Sequence, residues 1–267
     1  MKSFNPINLN IMDAPISLTM GSGFSEERWK ALAAKWSRAT SSQLKDAEQL
    51  ELKCSKEVPE DVTGRTDILW NSNLDRLEEQ LSTNLTLRGI NFNKGKKFML
   101  HACGFSNEEG KVIAFVAASG TGKTTLAKTL GVHFGYVSDE TVVVDFDLNV
   151  TAYPKPLSII VASGQAKKQV SPDDIALQKP VKGLKLHKLV LLARDKDPED
   201  PKADASVEPV GLIDAIIKLT PEFSYLSELD TPLQQLRDLI ETTDGVLQMN
   251  YVEAETLLPH IQRIFDA

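Results

Sequence analysis

The stretch Ala117-Ala118-Ser119-Gly120-Thr121-Gly122-Lys123-Thr124 decides the fold of this chain. It follows residues 112–116, a continuous apolar run of the kind that forms a strand buried on both faces. Residues 125–130, which come next, carry leucines at helical spacing, and Gly131 can end that helix. A strand, a glycine loop and a helix in this order predict the phosphate-binding arrangement G-x-x-x-x-G-K-[ST].

This loop supplies the predicted nucleotide site. Glycines let the backbone bend so that successive N–H groups converge on phosphate oxygens, and the helix N-terminus adds partial positive charge. Lys123 can reach the β- and γ-phosphates, and the Thr124 hydroxyl can ligate Mg²⁺. Ala117 replaces the first glycine of the pattern, and the alternative interpretation is a turn before an ordinary helix. The predicted nucleotide-binding residues are Ser119, Gly120, Thr121, Gly122, Lys123, Thr124 and Thr125.

Composition limits the class of protein. A chain of 267 residues can bury a substantial core, and a net charge of −7 argues against a nucleic-acid binder that works by bulk phosphate attraction. Cys54 and Cys103 have neither zinc-ligand spacing nor a disulfide framework. The sequence has neither a signal peptide nor an apolar run of membrane-spanning length, which predicts a cytoplasmic protein without a membrane partner.

Residues 1–90 are predicted to form an α+β appendage. Ser25 is the expected cap of a helix whose Trp29, Leu32 and Trp36 form one apolar stripe, an arrangement typical of core rather than of base stacking. Ser72 is the expected cap of a second helix. The apolar side of that helix is Leu74, Leu77, Leu81 and Leu85.

Residues 91–267 are predicted to form the phosphate-loop domain. The sequence predicts one strand over residues 98–105, joined by a hairpin at 107–110 to the strand before the loop. Residues 136–145 read as another strand, and Pro259 is expected to kink or shorten the last helix. Further elements are expected at 150–153, 186–193 and 246–251 as strands and near 210–219, 231–241 and 253–265 as helices, with a solvent loop over 194–206.

Two sets of carboxylates compete for the catalytic role that phosphoryl transfer requires. Residues 142–145 have the shape of a Walker B strand, four positions that end in Asp145. Asp139 and Glu140 form a pair closer to the loop helix, and the strand that begins at Tyr136 is expected to lie alongside the loop strand. Adjacent acids raise each other's pKa, a useful property in a base. The pair is therefore preferred, with Asp145 as the alternative.

The core of the chain resembles the C-terminal domain of HPr kinase/phosphorylase and its stand-alone bacterial relatives, which share a nucleotide fold with phosphoenolpyruvate carboxykinases. The likeness covers about the middle fifth of the chain. It implies that Asp139 is the metal-proximal acid and that Glu140, where the bifunctional enzymes have Asp, is the catalytic base. The matching segments are Leu100-His101-Ala102, Ser119-Gly120-Thr121-Gly122-Lys123-Thr124, Val137-Ser138-Asp139-Glu140-Thr141-Val142 and Tyr153-Pro154-Lys155-Pro156-Leu157.

Other polar residues are weaker candidates. The resemblance gives His101 a role near the phosphates, whereas a lone histidine in an apolar run is more often a core residue. Lys155, between two prolines, could neutralise charge on the transferred group or be an ordinary surface lysine. Arg194 and Arg237 are candidates for charge stabilisation, although nothing in the sequence places either of them.

The sequence therefore predicts an α/β phosphate-loop domain with a mixed sheet flanked by helices, and an N-terminal α+β appendage. The predicted function is a kinase that uses ATP and Mg²⁺, with Asp139, Glu140 and Lys123 as catalytic residues and Thr124 and Asp139 at the metal. The acceptor is a hydroxyl of a small molecule or of a peptide serine. The alternative is a nucleotide-binding regulator or slow ATPase. The natural donor (ATP, ADP or pyrophosphate) and a homo-oligomeric state stay open.

Overall fold

A computed structural model describes residues 4–42, 44–117, 122–162, 164–195, 198, 200 and 203–267. Elements are numbered in chain order. They are β1 Ile7–Ile11, β2 Ala14–Met20, α1 Glu26–Lys35, β3 Glu48–Lys53, β4 Ile68–Trp70, α2 Leu74–Asn93, β5 Phe98–Leu100, β6 Ala102–Ser106, β7 Lys111–Val116, α3 Lys123–Leu130, β8 Gly135–Ser138, β9 Val142–Val144, β10 Val150–Thr151, β11 Leu157–Ile159, β12 Lys168–Val170, β13 Lys185–Arg194, β14 Ser206–Val210, α4 Leu212–Leu219, α5 Pro232–Thr242, β15 Val246–Tyr251 and α6 Leu258–Asp266.

The chain divides into two compact units. The first contains residues 1–92 and 154–175, and the second contains residues 93–153 and 176–267. The sequence predicted a single division at residue 90 and did not foresee that residues 154–175 belong with the first part of the chain.

The first unit is built on a four-stranded sheet in the order β1-β2-β3-β4. β1 and β2 form an antiparallel pair, and β3 and β4 continue the sheet in parallel. The expected cap of α1 is confirmed, because the Ser25 hydroxyl accepts a hydrogen bond from the Arg28 N–H at 3.3 Å. Trp29 and Trp36 are buried, as the core interpretation requires.

The start of α2 differs from the prediction. Asn73, not Ser72, caps this helix, since its side-chain oxygen accepts a hydrogen bond from the Arg76 N–H at 3.0 Å. The amide oxygen of asparagine serves as a cap as well as a serine hydroxyl does. The apolar stripe of α2 is confirmed, with Leu77, Leu81 and Leu85 buried.

The second unit contains a six-stranded mixed sheet in the order β14-β15-β13-β7-β6-β8. The strand before the loop, β7, lies inside this sheet, and residues 112–116 are fully buried. β7 pairs in parallel with β13 on one side and antiparallel with β6 on the other. The predicted α/β class with a mixed sheet is confirmed.

Two predicted strands are each broken into two. Residues 98–105 divide at His101 into β5 and β6, and residues 136–145 divide after Ser138 into β8 and β9. β5, β9 and β10 form a separate three-stranded sheet. Both breaks occur where a polar residue turns the chain from one sheet to the other, which alternation of apolar residues does not reveal.

The expectation that the strand starting at Tyr136 lies beside the loop strand is wrong. β6 occupies that place, and β8 pairs with the far side of β6. The reason is the tight hairpin at residues 107–110, which returns the chain directly beside its own preceding strand. The Asn107 side-chain oxygen accepts hydrogen bonds from the N–H groups of Glu109 and Lys111 there.

The C-terminal part follows the prediction with shifted bounds. α6 begins only at Leu258, since Pro259 occupies its first turn, where proline is tolerated. β14 was not predicted; it forms the antiparallel edge of the sheet beside β15. No helix in the described ranges is both long and apolar enough to cross a membrane.

Candidate functional site

Several of the candidate residues of the second unit lie at one edge of the six-stranded sheet. β13 and β15 run parallel to β7. β8 also runs in that direction, because it is antiparallel to β6, which is itself antiparallel to β7. The carboxyl ends of β7, β8, β13 and β15 therefore meet at the same edge, which is where ligands bind in open α/β sheets.

α3 begins at this edge, and Gly122 precedes its first residue. Gly122 caps the helix in the left-handed region with φ of 98°, which favours glycine. The Leu126 N–H donates to the Gly122 carbonyl oxygen at 2.9 Å and starts the helical ladder. The predicted nucleotide-binding residues Ser119, Gly120 and Thr121 lie outside the described residues. Thr125 is exposed on the first turn.

Lys123, the motif lysine, is buried, and its ammonium group donates a hydrogen bond to the Ala117 carbonyl oxygen. Burial lowers the pKa of Lys123 from 10.5, although the negative charge of Glu222 and the acids that follow β8 oppose that shift. A buried ammonium group next to a helix N-terminus interacts more strongly with a charged anion than with a neutral carbonyl oxygen.

Asp139 lies directly after β8 and is also buried. The Thr124 hydroxyl donates to its Oδ2 at 3.3 Å, and the Tyr136 hydroxyl donates to its Oδ1 at 2.9 Å. The Ser138 hydroxyl accepts hydrogen bonds from the N–H groups of Glu140 and Thr141 at 3.2 and 3.1 Å. This local turn ends β8 and leaves Asp139 beside α3, with both of its oxygens in hydrogen bonds.

His101 is held at the same edge by backbone groups. Its backbone N–H donates to the Glu222 carbonyl oxygen at 2.7 Å, and its ring Nδ1 lies 3.1 Å from the Glu140 carbonyl oxygen. A carbonyl oxygen can only accept, so Nδ1 carries the proton. Burial lowers the pKa of His101 from 6.5, and the Lys123 charge lowers it further, so the ring is neutral at pH 7.

Asp145, the alternative carboxylate, lies elsewhere. Its Oδ1 accepts from the N–H groups of Asp147 and Asn149 at 3.0 and 2.8 Å, and its Oδ2 accepts from the Asn149 side chain at 2.9 Å. Burial acts to raise the pKa of Asp145, but these hydrogen bonds outweigh it and hold the pKa below 3.8. Asp145 therefore organises the turn between β9 and β10.

The remaining candidates lie on different elements. Lys155 belongs to the first unit, where it is buried and donates to the Pro156 carbonyl oxygen at 3.2 Å. Arg237 lies on α5, paired with Asp238 and Glu241. Arg194 ends β13 at the same edge as the loop.

Sequence reasoning missed Tyr136, Tyr251 and Glu222. The Tyr136 hydroxyl donates a hydrogen bond to Asp139, and Tyr251 ends β15. The Glu222 carbonyl oxygen accepts a hydrogen bond from the His101 backbone N–H. The signal that could have identified Tyr251 is its position at the end of a strand, once the strand directions are known, whereas Tyr136 lies near the start of β8. Nothing local marks Glu222.

Comparison with known proteins finds similar solved structures, among them a kinase/phosphatase. The HPr(Ser) kinase/phosphatase from Coxiella burnetii matches at 12% sequence identity and a TM-score of 0.32, over 62% of this chain and 97% of that chain. No family model matches the sequence, and no curated protein does either. At this TM-score the likeness does not support a function for this chain. The residues of the site itself are the basis for the function proposed below.

Proposed function

We propose that this protein is a phosphotransferase of the HPr kinase-like phosphate-loop group. It transfers the terminal phosphoryl group of ATP, with Mg²⁺, to a hydroxyl of a small molecule or of a peptide serine. The observation that carries the proposal is the 3.3 Å hydrogen bond between the Thr124 hydroxyl and Asp139. This hydrogen bond joins the first turn of the loop helix to a buried carboxylate. Thr124 directly follows Lys123, the motif lysine.

These residues fit the cofactor that the proposal requires. Mg²⁺ prefers hard oxygen ligands and keeps several waters and phosphate oxygens, so one hydroxyl and one carboxylate are a sufficient protein contribution. The described residues contain no group of three or more His, Cys, Asp and Glu side chains arranged to hold a metal. That agrees with a metal held jointly by protein and nucleotide. When bound, the ion would offset negative charge on the phosphate oxygens.

The chain's own residues divide the remaining work. Lys123 pairs with phosphate oxygens in place of the Ala117 carbonyl oxygen that it now contacts. Asp139 is held in one orientation by Tyr136. Glu140 accepts the proton of the acceptor hydroxyl as that oxygen bonds to phosphorus and the bond to the nucleoside diphosphate breaks.

Nucleotide binding is the first test. Saturation at one hundred times Kd should stabilise the folded state by about 2.7 kcal/mol, which raises Tm by roughly 5–10 °C for a protein of this size. Lys123→Met should remove that rise and leave the nucleotide-free protein folded. Lys128→Met is the matched control, since Lys128 is an exposed lysine on the same helix and should keep the full rise.

Phosphoryl transfer is the second test. The protein is incubated with γ-labelled ATP, Mg²⁺ and a cell extract separated into metabolite and protein fractions. Label that appears in either fraction with wild type and disappears with Asp139→Asn supports a kinase and identifies the acceptor class. Nucleotide-dependent stabilisation without any labelled product would instead support the regulator. Equal stabilisation of wild type and Lys123→Met by ATP would rule out the nucleotide site.

A further inference from the structure

Arg194 ends the strand next to the loop strand. β13 pairs in parallel with β7, with Leu191 opposite Val116, so Arg194 lies three residues past the last paired position and beyond the end of β7. Asp139 approaches the same edge from β8, on the opposite side of β7. The loop strand is therefore flanked at its carboxyl end by an acid on one side and by an arginine on the other.

Distances place the arginine beside the start of α3. A methyl group built on Gly122 would lie 3.9 Å from Arg194 Nη1 and 3.8 Å from the Tyr251 hydroxyl oxygen. Both side chains therefore lie on the side of Gly122 to which a Cβ atom would point. Gly122 immediately precedes Lys123, the residue that reaches the β- and γ-phosphates in this motif.

The Arg194 guanidinium is held by two residues that follow β15. Arg194 Nε donates to the Val252 carbonyl oxygen at 2.9 Å, and Nη2 lies 3.4 and 3.5 Å from the two carboxylate oxygens of Glu253. These contacts come from the chain just after β15 and engage two of the three nitrogens. A planar group fixed in this way loses little conformational freedom when its remaining nitrogen binds a ligand.

We propose, on the basis of the kinase function above, that Arg194 binds the terminal phosphoryl group of the donor nucleotide from the side opposite Asp139. Negative charge spreads over the three outer oxygens of that group during transfer, and Arg194 Nη1 can donate charge-assisted hydrogen bonds to them. The Tyr251 hydroxyl lies on the same side of Gly122 and is proposed as a further donor to the same group. The consequence is selectivity: the site prefers a nucleoside triphosphate to a diphosphate, which lacks the group that Arg194 contacts.

Calorimetric titration tests this selectivity without any turnover. Wild type, Arg194→Gln, Arg194→Lys and Arg237→Gln are titrated with a non-hydrolysable ATP analogue and with ADP, each with Mg²⁺. A charge-assisted hydrogen bond is worth roughly ten- to a hundredfold in affinity. Arg194→Gln should lose that much for the ATP analogue and less than about threefold for ADP. Arg194→Lys should fall between Arg194→Gln and wild type, since it keeps the charge but lacks the planar guanidinium that Val252 and Glu253 hold in place.

The outcomes separate this inference from the proposed function. Arg237→Gln should match wild type, because Arg237 is paired on α5. If wild type binds the ATP analogue, Lys123→Met does not, and Arg194→Gln binds like wild type, the role of Arg194 is wrong while the nucleotide site stands. Equal losses for ADP and the analogue would make Arg194 a structural anchor of β15 and contradict the inference. If wild type binds neither nucleotide, both proposals fail.

Discussion

The ends of β8 and β9 look alike in sequence and differ in structure. Each is a short apolar strand followed closely by an aspartate, Asp139 after β8 and Asp145 after β9. β8 belongs to the six-stranded sheet and ends at the edge where the loop helix begins. β9 belongs to the small three-stranded sheet and ends in a turn.

The partners of the two carboxylates explain what that difference means. Asp145 accepts hydrogen bonds from its own turn, within four residues along the chain. Asp139 accepts one from Thr124, 15 residues away on the loop helix. A carboxylate satisfied by its own turn mainly stabilises that turn, whereas the proposed function gives the catalytic role to the one held against the loop helix. The following predictions test that distinction, from the largest expected effect to the smallest.

The largest effect separates the two aspartates by turnover. Once the acceptor is identified, Asp139→Asn should lower kcat about a hundredfold to ten-thousandfold, the range expected for loss of a charged catalytic group. Glu140→Gln should fall in the same range with nucleotide affinity partly retained. Asp145→Asn should stay within about threefold of wild type. Steady-state kinetics of the three variants decide the matter, and an inactive Asp145→Asn beside a normal Asp139→Asn would favour the Walker B interpretation.

The second effect concerns how Asp139 is held. Tyr136→Phe removes a buried hydroxyl that donates to Asp139 at 2.9 Å and leaves the ring in place. A hydrogen bond to a charged group contributes roughly 1.5–3 kcal/mol, so the free energy of unfolding should fall by about that amount. Urea denaturation measures it. The matched control is Tyr225→Phe, whose hydroxyl lies on a half-exposed ring at the surface; equal losses in both variants would argue against a special hold on Asp139.

A smaller effect is expected at the other aspartate. Asp145→Ala removes the acceptor that organises its turn and should cost about 0.5–1.5 kcal/mol at pH 7. Because the hydrogen bonds from Asn149 and Asp147 hold the folded pKa below 3.8, this contribution is present above pH 3.8 and is lost as the pH falls through the folded pKa. The difference between wild type and Asp145→Ala in urea denaturation should therefore shrink at pH 3. A difference that grows in acid would contradict the turn assignment.

The smallest effect is a change in the pH dependence of stability at His101, the residue between β5 and β6. The folded pKa of His101 lies below 6.5, so the unfolded chain takes up its proton first as the pH falls. His101 therefore costs stability as the pH drops through 6.5. His101→Asn should flatten the fall in the free energy of unfolding between pH 7.5 and about 5.5. Parallel curves for wild type and His101→Asn would mean that the ring is not shielded as described.

Several features of the fold were predictable because they depend on neighbouring residues. The strand at residues 112–116, the helix that follows Gly122 and the apolar stripe of α2 are all local patterns, and each formed where expected in the described chain. The breaks at His101 and after Ser138 were not predictable in this way. Apolar residues resume after His101 and again after the polar residues 138–141, and nothing local shows that the two halves of each run join different sheets.

The sequence by itself determined a phosphate-loop motif in an α/β protein and the short list of acids that could serve it, since residue type and spacing along the chain carry that information. Only the tertiary structure decided which acid meets the loop helix and that Arg194 and Tyr251 lie beside Gly122. The physical reason is strand order and direction. Parallel pairing places the carboxyl ends of strands at one edge even when these strands are distant in the sequence. Hydrogen bonds between the strands set that pairing.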